Sequence, residues 1–98
     1  MNEPIINPEA LIDLDDIWFY IGKDSMIAAD REIDLIYASI ARLAEHPESG
    51  HTREDLTELP LRFWTLHSYL IIYRADVEPI EIVRVLSGYR DIPTILGP

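Results

Sequence analysis

An α+β domain, with an N-terminal antiparallel helix hairpin packed on one face of an antiparallel sheet of three to four strands, is the fold that this sequence predicts. Three observations carry it. Before Gly50 the apolar residues recur with a helical period, and after it they recur with the period of extended chain. Only a few residues separate the two helical segments, which makes them an antiparallel hairpin. From Leu61 onward the composition turns to Ile, Val, Tyr, Phe and Trp, the residues that suit a pleated surface.

Each element follows in chain order. Pro4-Ile5-Ile6 has room for a short strand only. Asn7-Pro8 then supplies a helix start, an asparagine cap followed by proline in the first helical position. The first helix is expected to run to about Gly22, with Leu11, Leu14, Ile17, Trp18 and Ile21 on its inner face and Ala10 beside them. Asp24 or Ser25 caps a second helix whose stripe is Met26, Ala29, Ile33, Ile36, Tyr37, Ile40, Leu43 and Ala44, ended by Pro47 and Gly50. His51 to Glu58 is a polar link with room for a short strand around Leu56. Strands follow up to Leu66, from Tyr69, and over Ile80 to Leu86, with turns at His67-Ser68 and Asp76-Val77-Glu78-Pro79. The order is βααβββ, in one domain spanning residues 1–98.

Composition narrows the function classes. The chain has no cysteine, which removes disulfides, thiolate metal sites and cysteine nucleophiles. Met1-Asn2-Glu3-Pro4 lacks the basic start of a signal peptide and no apolar run is long enough to span a bilayer, so a cytoplasmic protein without membrane contact is expected. Residues 1–50 hold eleven acids and three bases, residues 51–98 seven and five, for a net charge of −10. Such a field repels phosphate backbones, so no direct nucleic-acid binding by the chain alone is expected, whereas a basic protein partner is accommodated.

Several short motifs stand in order along the chain. The first helix carries Asp13-Leu14-Asp15-Asp16-Ile17-Trp18-Phe19-Tyr20-Ile21. The second carries Ala28-Ala29-Asp30, Ile40, Leu43 and the terminating His46-Pro47-Glu48-Ser49-Gly50. The strands add Leu61-Arg62, Tyr69, Ile72-Tyr73-Arg74 and Arg84-Val85-Leu86-Ser87-Gly88-Tyr89-Arg90-Asp91. Together, from Asn7 to about Leu96, they resemble the ParE branch of the RelE/ParE family, the toxin halves of type II toxin–antitoxin pairs. The chain departs from that pattern at His67-Ser68 and at His51-Thr52, where many members have a basic residue (or, in the hairpin, a glycine).

The resemblance implies a toxin that acts on DNA gyrase, stalls it on cleaved DNA by binding rather than by catalysis, and is neutralised by a cognate ParD-like antitoxin. The strand series holds no sign of a cofactor loop, and no cofactor is expected. Arg84, Tyr89 and Arg90, in the most distinctive motif, are the expected contacts with gyrase. The alternatives are a ribosome-dependent mRNA endonuclease of RelE type and a family member that has lost toxicity and only binds. For the endonuclease, cations and proton-transfer groups must face the scissile phosphate. Arg90 matches the arginine region of the nuclease pattern, but no lysine cluster precedes it, and Ile95-Leu96 stands where a terminal tyrosine would be sought.

Other residues have plainer readings. His46 and His51 near Glu48 and Asp55 read as loop histidines, one of them placed at a helix C-terminus, rather than metal ligands. No glycine-framed serine elbow supports Ser68 or Ser87 as a nucleophile. Arg62 and Arg74 are expected to pair with carboxylates. Trp18, Tyr37 and Tyr73 read as core aromatics. Phe63 and Trp64 point to opposite faces of one strand, which leaves Trp64 as a candidate partner contact. With the inner face of the first helix assigned, Ile12 and Phe19 fall together on its opposite face beside Asp15 and Asp16, a patch suited to an antitoxin segment bringing apolar anchors and a basic residue.

Overall fold

The computed structural model describes residues 3–98. Strand β1 (Ile5–Ile6) leads into helix α1 (Pro8–Gly22) and helix α2 (Met26–Glu45). A single 3₁₀ turn (Pro47–Ser49) is followed by strands β2 (Arg62–Leu66), β3 (Tyr69–Arg74) and β4 (Glu81–Ser87), and a five-residue helix α3 (Ile92–Leu96) closes the chain. The helix starts are those the sequence signals. The Asn7 side chain accepts from the Glu9 amide at 2.9 Å with Pro8 in the first turn, and the Ser25 hydroxyl accepts from the Ala28 amide at 3.1 Å.

The sheet order is β1-β4-β3-β2. Strands β2, β3 and β4 form the antiparallel series, with a register shift between Ile72 and Tyr73. One pairing differs from the fully antiparallel expectation: β1 lies parallel to β4, Ile5 opposite Glu81 and Ile6 opposite Ile82. The free edge of β4 needs partners for its backbone groups. The Ile5 amide donates to Ile80 O at 2.9 Å and the Asn7 amide to Ile82 O at 3.0 Å. A second difference lies in the link after Gly50. His51 rather than the Leu56 region makes the extra bridge, exchanging both backbone hydrogen bonds with Phe63, while Leu56 sits in a turn and packs inward.

Both faces of the sheet are buried. On the helix side, Ala10, Leu14 and Ile17 of α1 and Ile36, Ile40 and Leu43 of α2 meet Ile71, Tyr73, Ile82 and Val85. On the other side Leu61, Phe63, Leu70, Ile72 and Leu86 are closed over by Ile92, with Leu56, Ile95 and Leu96 at the margin. This double cover explains why Leu70 through Tyr73 are all buried although alternate side chains point to opposite faces. It also places the apolar C-terminal run: α3 is a lid on the second core, capped by Asp91, whose carboxylate accepts from the Thr94 hydroxyl at 2.7 Å.

Four expected core positions are corrected. Leu11 is exposed and Trp18 only half-buried, because the buried arc of α1 is rotated towards Asp13, which is 6% exposed. Trp18 instead bridges the helices, its indole donating to Asp30 at 2.7 Å. On α2, Met26 and Tyr37 are exposed at the flank of the line Ala29, Ile36, Ile40 and Leu43.

Tyr73 is fully buried. Its hydroxyl donates to Pro47 O at 2.7 Å and accepts from the Gly50 amide at 2.8 Å, which fixes the end of α2 against β3. Gly50 is required there, since a Cβ would lie 2.5 Å from that hydroxyl. Burial pushes the phenol above its ordinary value of 10.0. A raised pKa in the folded state contributes stability that is complete below the unfolded pKa and is lost as pH rises through the folded one. Tyr73→Phe should therefore cost about 1–3 kcal/mol at neutral pH, the scale of two backbone groups left unpaired. It should also flatten the fall of Tm as pH rises above the ordinary phenol value of about 10, as read in thermal melts.

Candidate functional site

The strand β4 and the turn that follows it organise the site. Gly88 turns the chain beside the β2–β3 hairpin, its amide donating to Ser68 O at 2.8 Å, and the Arg90 amide donates to Ser87 O at 3.1 Å. His67 supports the same corner with a positive φ of 55°, and its Nδ1 lies 2.9 Å from the Glu32 carboxylate on α2. This tie of hairpin tip to helix has no signal in the sequence, because the partners are 35 residues apart.

The three residues of the distinctive motif divide. Tyr89 is 91% exposed and Arg90 is also exposed, with no carboxylate within ion-pair distance among the described residues. Arg84 is different. Its Nε and Nη2 each donate to Asp13 at 2.8 Å, Nη1 reaches Glu9 at 3.4 Å, and Asp13 also accepts from the Val85 amide at 2.9 Å. The Asp13 carboxylate beside it holds the guanidinium pKa above its ordinary value. The guanidinium is thus committed to locking α1 onto β4, unlike the free side chains of Tyr89 and Arg90. Asp13 was legible only as part of an acidic run, and its separation of 71 residues from Arg84 left no local trace.

Two other arginines are neutralised by carboxylates two residues away. Arg74 pairs with Asp76 at 2.9 Å and Arg53 with Asp55 at 2.8 Å. Arg62 makes no such pair; it donates to the carbonyls of Gly50 at 2.7 Å and Glu48 at 3.4 Å, closing the 3₁₀ turn. Among the described residues no group of three His, Asp or Glu side chains is placed to hold a metal ion, and no helix is long and apolar enough to cross a membrane.

Ile12 is 59% and Phe19 64% exposed, with Asp15 and Asp16 exposed beside them. Tyr20, Met26 and Ile27 extend that apolar surface to the tip of the hairpin. Trp64 lies elsewhere: it is half-buried against the helix-side core, and Phe63 is the ring directed to the other face, where α3 covers it. The structure therefore does not bring Trp64 together with the α1 patch.

The family model of the ParE toxin of the type II toxin-antitoxin system parDE matches residues 5–92. The chain belongs to the ParE toxin family. Among its relatives in Caulobacter vibrioides, Toxin RelE3 is 31% identical over 81 residues, covering 82% of this chain and 87% of that one. Toxin ParE3 of the same organism is 27% identical over 86 residues, covering 87% and 85%. A solved structure described as the chromosomal ParDE TA system from P. aeruginosa superposes with a TM-score of 0.68 at 22% identity, over 87% of this chain and 96% of that one. The ParE-family fold of two helices followed by a mostly antiparallel four-stranded sheet is thus common to both.

Proposed function

We propose that this ParE-family toxin acts by binding DNA gyrase and holding it on cleaved DNA, and that a cognate ParD-like antitoxin neutralises it. One observation carries the reading: Tyr89 and Arg90 stand free on an exposed turn, while the outer face of the sheet is apolar and sealed by α3. An aromatic ring beside an unpaired guanidinium is the composition of an interface anchor. The residues of the sealed face itself are apolar and carry no cation to meet a scissile phosphate.

A second reading, ribosome-dependent mRNA cleavage, is favoured by one specific feature. Arg53, His67, Tyr89 and Arg90 line a single hollow of about 320 Å³, and Glu32 orients the His67 ring as a proton-transferring histidine is oriented. Two assays on the purified protein separate the readings. Inhibition of gyrase supercoiling with message left intact supports binding. Cleavage of message on programmed ribosomes at catalytic protein concentrations, lost in His67→Ala, supports the nuclease. Activity in neither assay identifies a family member that only binds.

We propose the outer face of α1 as the antitoxin's seat, since Ile12 and Phe19 are exposed there beside Asp15 and Asp16. Changing Ile12 and Phe19 together to serine should leave the fold intact, since both side chains are exposed, and weaken antitoxin binding by roughly 1–3 kcal/mol. Calorimetric titration of the folded double variant checks this, and unchanged affinity removes the patch from the interface.

A further inference from the structure

A hollow of about 470 Å³ lies between α1 and the paired ends of β3 and β4, lined by Tyr20, Tyr69, Tyr89, Asp16 and, at its rim, Arg90. Asp16 and Tyr20 stand one turn apart on α1, so both present to the same side. Neither the Asp16 carboxylate nor the three phenol hydroxyls has a hydrogen-bond partner among the described residues. Packing against the helix-side core accounts for Tyr69, but not for Tyr20 and Tyr89 standing exposed beside a free carboxylate.

We propose that this hollow receives a single arginine side chain of the antitoxin, held between the tyrosine rings and paired with Asp16. Aromatic faces attract a cation through their quadrupole, and a free carboxylate adds a charge-assisted hydrogen bond. Arginine suits the site better than lysine because its planar guanidinium stacks on a ring while its fork meets a carboxylate. The other carboxylate of the wall, Asp13, is already taken by Arg84. Arg90 at the rim repels a second cation, so the occupant is one arginine with neutral or acidic neighbours, not a polybasic run. The inference rests on the reading of the chain as one half of a toxin–antitoxin pair.

The test titrates the full chain with the capped tripeptide Ala-Arg-Ala, its citrulline counterpart and capped Arg-Arg-Arg, following the tyrosine ring resonances by NMR. The arginine peptide should shift the Tyr20, Tyr69 and Tyr89 signals with a dissociation constant on the order of millimolar, as for one isolated anchor. Citrulline, which keeps the shape and loses the charge, should bind at least roughly tenfold more weakly. Triarginine should gain nothing over the single arginine. Asp16→Asn and Tyr20→Ala, both at exposed positions, should each reduce the response roughly three- to tenfold with Tm unchanged. No shift of these rings, or equal binding of citrulline, overturns the proposal. An antitoxin complex that forms with unchanged affinity in Asp16→Asn and Tyr20→Ala also overturns it while leaving the antitoxin reading intact. Failure of any antitoxin complex to form overturns that reading itself.

Discussion

Replacing Asp13 by alanine is expected to lower the unfolding free energy by about 3–5 kcal/mol, the range for removing one partner of a buried ion pair. The carboxylate is 6% exposed and serves three donors: two guanidinium nitrogens at 2.8 Å and the Val85 amide at 2.9 Å. Without it, Arg84 retains only the 3.4 Å contact with exposed Glu9, and the Val85 amide loses its acceptor. Since the pair joins the first helix to the last strand, its loss should be felt globally rather than as local fraying. Urea denaturation of the variant and of Arg84→Ala measures it. The two single changes should be strongly non-additive, because each removes the same interaction. A loss below about 1 kcal/mol for Asp13→Ala would show that α1 is held by its apolar face alone.

Removing the exposed end of the motif should do the opposite, sparing the fold and weakening action on the target. Tyr89→Ala with Arg90→Ala is expected to weaken binding to gyrase by about 2 kcal/mol or more, roughly thirtyfold, as befits an aromatic and arginine pair at the centre of an interface. Tyr89 is 91% exposed and Arg90 has no ion pair among the described residues, so Tm should change little. Arg53→Ala is the control: another exposed guanidinium, already paired with Asp55, whose loss should leave toxicity nearly intact. Growth inhibition on induced expression reads both. Equal toxicity of the Tyr89/Arg90 double variant and the parent protein would remove this turn from the contact.

What the sequence could and could not reveal divides along the range of the interactions. Caps, periodicities and turns are local, so Asn7, Ser25, the helix limits and the β2–β3–β4 series were legible from residues a few positions apart. The parallel pairing of β1 with β4 joins residues 76 apart in sequence, as Ile5 with Glu81, and no pattern in two residues could signal it. The rotation of α1 was misread for a related reason. Leu11 and Trp18 look like core by hydrophobicity, but Asp13 occupies the buried arc because Arg84 arrives from the far end of the chain. At the site, exposure of Ile12, Phe19, Tyr89 and Arg90 followed from helical projection and motif position. The meeting of Arg53, His67 and Arg90 around one hollow did not, because three separate turns build it.

Stalling by binding is read out as the yield of gyrase-cleaved DNA trapped by denaturing detergent when the purified protein is added to gyrase and supercoiled plasmid. Binding that stalls the enzyme predicts linear plasmid accumulating with protein concentration, less of it with the Tyr89/Arg90 double variant, and reversal by the antitoxin. Unchanged levels of linear DNA across the titration, with protein that is folded and still toxic in cells, would contradict the account.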